Sequence, residues 1–117
     1  VSYDDNPYYN PEKHGLVKVT EHELAEASYS FDILAVWKGA AGYYLATDSG
    51  CSCPTPFEDY EGVADMTGPL TVEQAIEESS NLKRTAYNPT YDIVGFNQFI
   101  AAIRASETVA LPMDNGS

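Results

Sequence analysis

Apolar and polar residues alternate from Leu16 to Ala25, with Val17 and Val19 on one face, which predicts a strand. The Glu21-His22-Glu23 portion is polar on both faces and fits a sheet edge. Phe31 to Lys38 carries the strongest period-2 signal. Phe31, Ile33, Ala35 and Trp37 fall on one face, Leu34 and Val36 on the other. Two apolar faces mark a central strand. Gly39-Ala40-Ala41-Gly42 supplies a hairpin loop, and Tyr43 to Thr47 returns as the next strand.

The period then changes. Thr71-Val72-Glu73-Gln74 matches a capping box, in which Thr71 and Gln74 each bond the other's backbone. Val72, Ala75 and Ile76 share a face of the helix that follows, and this helix is expected to end near Ser80-Asn81. A second helix is expected from Pro89-Thr90, with Ile93, Phe96, Ile100 and Ile103 as its apolar stripe, widened by Phe99. Gly95 weakens that helix by about 0.8–1 kcal/mol relative to alanine unless close packing uses it. Strands followed by helices predict an α+β fold: a small antiparallel sheet of three or four strands with two main helices on one face. Residues 1–15, with Asn6-Pro7 and Asn10-Pro11, read as an irregular arm pinned by tyrosines. Residues 16–105 form the single domain and 106–117 a flexible tail.

Charge changes the functional picture. The 117 residues carry 18 acids against 6 lysines and arginines, a formal net charge of −12. Fifteen of the acids lie in residues 1–81, beside only Lys13, Lys18 and Lys38. Such a surface repels nucleic-acid phosphates and anionic membranes and attracts basic protein surfaces. No apolar run approaches the ~20 residues that span a bilayer, and the first residues lack a basic segment followed by an apolar core.

Candidate chemistry concentrates in residues 48–60. Asp48-Ser49-Gly50 reads as a turn, followed by Cys51, Cys53, Pro54, Pro56, Phe57, Glu58, Asp59 and Tyr60. A bridge between Cys51 and Cys53 would close a strained ring, so reduced thiols are expected. Acidic neighbours disfavour a reactive thiolate. Zinc held by Cys51, Cys53, His14 and His22 is the alternative, though Cys-x-Cys is not the usual zinc spacing. Adjacent Glu58 and Asp59 point apart in an extended chain and read as a solvated rim, not an acid–base pair. No catalytic set and no cofactor motif is present in the sequence. The segment is therefore expected to bind a protein with a basic surface, through Asp48, Cys51, Cys53, Phe57, Glu58, Asp59 and Tyr60, with Trp37, Tyr43 and Tyr44 clustered nearby. Mimicry of nucleic acid by the acidic surface is a further alternative.

The segment Phe31 to Lys38, followed by Ala46-Thr47-Asp48-Ser49-Gly50-Cys51-Ser52-Cys53-Pro54-Thr55-Pro56-Phe57-Glu58-Asp59-Tyr60, resembles small uncharacterised proteins encoded by bacteriophages of mycobacteria and related actinobacteria. The resemblance runs from about Tyr9 to Tyr60 and more loosely into the helices. It implies origin and setting only, a phage product acting in the cytoplasm of an infected bacterium, and it brings no functional residue with it; with the charge and the loop, the expected role is that of a non-enzymatic phage accessory protein.

Overall fold

The computed structural model describes residues 6–24, 30–51, 57, 60, 62–86 and 89–108. Strands β1 (Val17–Glu23), β2 (Ser30–Gly39), β3 (Gly42–Cys51) and β4 (Thr67–Leu70) form one antiparallel sheet in the order β1-β2-β3-β4. Helices α1 (Val72–Arg84) and α2 (Ile93–Ala105) follow. The fold is α+β, with both helices on one face of the sheet.

Strand β2 is interior, as its two apolar faces require. Leu34 and Val36 pack beneath the helices with Leu24, Tyr43, Leu45, Ala75, Phe96, Phe99 and Ile103. Ile33, Ala35 and Trp37 point to the opposite face and join Leu16, Ala46, Phe57 and Met66. Gly39 pairs with Gly42 across the two-residue turn Ala40-Ala41.

Several boundaries differ from expectation. Strand β3 runs on to Cys51, because Asp48, Ser49, Gly50 and Cys51 pair with Ile33, Asp32, Phe31 and Ser30. Asp48-Ser49-Gly50 is thus extended chain, not a turn: ladder pairing with β2 overrides the local turn preference. Strand β4 contains Gly68 and Pro69. Gly68 has φ 151°, and a Cβ there would stand 2.5 Å from the Tyr43 carbonyl oxygen, so its bareness is what lets β4 approach β3.

Helix α1 opens on the expected capping box, Thr71 Oγ1 accepting from Gln74 N at 3.1 Å and Gln74 Oε1 accepting from Thr71 N at 2.9 Å. It continues past Asn81 to Arg84, because Lys83 lies in line with buried Ala75 and Ser79 on the core face. Helix α2 starts later than expected. Asp92 is its cap, and the exposed Ile93 drops out of the stripe. Gly95 serves this cap: a Cβ there would collide with the Asp92 carboxylate, in the space it uses to bond Gly95 N.

The arm and the tail boundary are both packed. Pro11–His14 forms a 3₁₀ turn and Tyr8 lies against the second core face. Ser106 is buried, its hydroxyl hydrogen-bonded with Tyr43 Oη at 2.8 Å and donated to the Ile103 carbonyl at 2.6 Å. Chain expected to fray from residue 106 is therefore fixed through Thr108.

Candidate functional site

Phe57 organises the non-helical face. Its side chain is fully buried, although its backbone adopts φ 60°, a left-handed conformation costly for a bulky residue. Three polar groups hold it there. Phe57 N donates to Asp48 Oδ2 at 2.6 Å, its carbonyl accepts from Asn6 Nδ2 at 2.7 Å, and the same carbonyl accepts from Tyr60 N at 3.1 Å. Buried Asn6 is itself fixed, accepting from Tyr8 N at 2.8 Å. Around the ring, Tyr8 stacks at 4.6 Å between centroids, while Tyr60 and Trp37 meet it edge-on at 5.0 and 6.0 Å. Arm, strand end and loop are thus joined at one residue. Tyr60 stays half-buried, and burial pushes its phenol upward, with Asp48 and Asp65 adding to the rise.

The structure corrects the role expected of Phe57: it is a core anchor and offers no contact surface, because every face of its ring is occupied. Asp48 is half-buried and spends one carboxylate oxygen on the anchor. Tyr44 shares this face with Trp37, Phe57 and Tyr60, but Tyr43 lies under the helices. Cys53, Glu58 and Asp59 lie outside the described residues, as does the side chain of Cys51. The two histidines of the alternative zinc set have different surroundings. His22 is buried beside Phe96 and Phe99, whereas His14 faces Gly62. Among the described residues no group of three metal-ligating side chains comes together.

A second polar cluster joins β1 to the helix connection. His22 lies on an edge strand, as expected, yet is only 5% exposed. The reason is a β-bulge: Lys18 pairs with Trp37 and Thr20 with Val36, leaving Val19 as an extra residue and turning His22 inward. Its Nε2 lies 3.1 Å from Nζ of buried Lys83, which also donates to the Tyr91 carbonyl and faces the rings of Tyr91 and Phe96. Burial holds the His22 imidazole below its ordinary range, and the neighbouring Lys83 charge lowers it further. Burial also lowers Lys83, partly offset by the Asp92 carboxylate. Neutral His22 accepting from Lys83 satisfies the geometry. Sequence analysis missed this pair. Its signal was the four-residue spacing of Ala75, Ser79 and Lys83, which puts the lysine on the buried stripe.

On the other side of β1, Glu21 Oε1 accepts from Tyr8 Oη at 2.7 Å and pairs with Lys18 Nζ at 2.6 Å. Burial pushes the Glu21 carboxyl upward, but the bonds from Lys18 and Tyr8 outweigh it and leave it below its ordinary range. The Tyr8 phenol is raised, first by burial and then by Glu21.

These features define a small α+β protein with an irregular, aromatic-anchored layer on one sheet face and helices on the other. The chain belongs to the family described as domain of unknown function DUF7574, whose model matches residues 5–105. No curated protein and no solved structure matches it. Among the described residues no helix is long and apolar enough to cross a membrane.

Proposed function

We propose that this chain is a non-enzymatic protein-binding module, and that residues 48–60 present its contact surface from the Phe57 anchor. The single observation carrying this reading is the clamp on Phe57. A strained backbone is held by Asn6, Asp48 and Tyr60, so the segment leaves the sheet and returns to it at set positions. Pre-set ends lower the entropy lost when a loop engages a partner. The net charge of −12 supports a basic partner surface, since opposite charge steers encounter. On the resemblance noted above, the partner belongs to the cytoplasm of an infected bacterium, and the module acts there as a phage accessory protein.

The test is affinity capture from an actinobacterial lysate with the wild-type chain, followed by the same capture with Tyr60→Ala and with Glu58→Lys/Asp59→Lys. One partner retained by wild type and lost by both variants, each still unfolding cooperatively, is the expected result. A partner that survives both changes contradicts the assignment of the surface.

A further inference from the structure

Two buried basic side chains meet where the connection between the helices passes the end of β1. His22 is 5% exposed and Lys83 4%, and their nitrogens stand 3.1 Å apart. Lys83 also donates to the Tyr91 carbonyl, so one ammonium joins the last turn of α1 to the imidazole and to the residues entering α2. Asp92 follows directly. One of its carboxylate oxygens caps Gly95 N at 3.1 Å. Asp92 and His22 line the same cleft of about 370 Å³, with Thr20, Gln98 and Phe99.

The contact between His22 and Lys83 admits one arrangement of protons. An ammonium has no lone pair and can only donate, so Nε2 is bare and the neutral imidazole carries its proton on Nδ1. A proton added at Nε2 would set two cationic N–H groups head to head in surroundings that exclude water. The Tyr91 carbonyl and the Asp92 charge both favour the ammonium form of Lys83, so the imidazole is the group that must give way. The charged groups facing the ring are Lys83 from α1 and Asp92 from the head of α2. Its neighbours on the same sheet face, Thr20, Leu24 and Leu34, carry none, nor do the rings of Phe96 and Phe99. Burial and Lys83 lower the basicity of His22, while Asp92 opposes them. The ring thus stands between a cation that rejects its proton and an anion that favours it.

We propose that His22, Lys83 and Asp92 form a proton-operated latch on the connection between the two helices. In the closed state the neutral imidazole accepts from Lys83, and Lys83 holds the Tyr91 carbonyl. On protonation the imidazolium pairs with the Asp92 carboxylate instead. The ammonium withdraws toward solvent on its flexible stem, and its bond to the Tyr91 carbonyl breaks. The chain at Tyr91 is then released from α1 while the sheet and both helices keep their packing, a local two-state change driven by one histidine. The latch is closed above pH 6.5 and opens as pH falls through the lower folded-state value of His22. It makes no use of residues 48–60 and goes beyond the protein-binding reading.

The test is a titration of the full chain from pH 8 to pH 5, followed by imidazole and backbone amide chemical shifts, with His14→Gln to assign the two histidines. His22 is expected to titrate below 6.5. The Asp92 amide, which shares a peptide group with the Tyr91 carbonyl, is expected to move with the same midpoint, while the amides of Ile33–Trp37 hold still. Lys83→Met keeps the buried stem without its charge. It is expected to raise the His22 midpoint and abolish the pH response of the Asp92 amide. Asp92→Asn keeps a capping residue that tolerates the left-handed backbone and removes the anion, so it is expected to lower the midpoint. A midpoint at or above 6.5 in wild type overturns the proposal. So does a response of the Asp92 amide that persists in Lys83→Met, since it then reports the ring's charge alone. Loss of the β2 amides at the His22 midpoint also overturns it, because the event is then global unfolding and not a latch.

Discussion

The two faces of the sheet are covered in opposite ways. Over Leu34, Val36 and Leu45 lie two regular helices whose backbone groups are satisfied largely within themselves, with side chains added at their ends: Thr71 and Asp92 at the starts, Thr85 and Ser106 at the finishes. Over Ile33, Ala35 and Trp37 lies irregular chain from the N-terminal arm and the segment reaching Met66. Its described residues form no ladder, so the backbone polar groups of Phe57 find partners one at a time, in the Asn6 amide and the Asp48 carboxylate. A helical cover is built from local rules. An irregular cover depends on a few long-range bonds, and each is correspondingly harder to replace.

The most severe way to break this comparison is to remove an anchor from each face. Phe57→Ala is expected to cost about 3–5 kcal/mol in urea unfolding, and Ile103→Ala about 2–5 kcal/mol. Comparable losses show that the irregular layer is as much a part of the cooperative core as the helices. A loss below about 1 kcal/mol at Phe57, the range of an ordinary surface change, shows a loosely laid cover instead. Asn6→Ala comes next. It leaves the Tyr8 N–H without its acceptor and the Phe57 carbonyl with Tyr60 N alone, at about 1–3 kcal/mol, and equilibrium unfolding reads the effect directly.

A pH series sharpens the helical side. The folded state holds His22 below the unfolded value of 6.5, so the unfolded chain binds the extra proton first as pH falls. The stability tied to neutral His22 is therefore fully present above pH 6.5 and drains away below it, as imidazolium is forced against Lys83. The charged groups facing it are Lys83 from α1 and Asp92 from the head of α2, while Glu21 and Glu23 stand on the opposite face of β1. Melting temperatures of wild type are expected to fall more steeply from pH 7 to 5 than those of His22→Gln. Parallel curves would remove the buried pair as the cause.

The same contrast explains what could be read from the sequence. The two faces of β2, the capping box of α1 and the Phe96-Phe99-Ile103 stripe are local periodicities, and each stands where expected. Strand β4 was hidden because Gly68 and Pro69 argue against a strand, and only the close approach to Tyr43 makes sense of them. Asp48 looked like a turn residue because its bond to Phe57 N spans nine positions and leaves no local signature. Phe57 looked like a contact residue for the same reason: what buries it is Tyr8, forty-nine positions away in the chain. The Glu21-His22-Glu23 portion lies on an edge strand as expected, but the burial of His22 was not legible because a one-residue bulge at Val19 reverses the facing of everything after it.

The measurement that bears most directly on the account is native-state hydrogen exchange at the amide of Phe57. Donated to the Asp48 carboxylate beneath a buried ring, this N–H should exchange only through global unfolding, with protection equal to that of the β2 amides and reduced in Asn6→Ala. Exchange at the rate of an unstructured peptide would show that residues 48–60 have no fixed mount, and the account built on that mount would be contradicted.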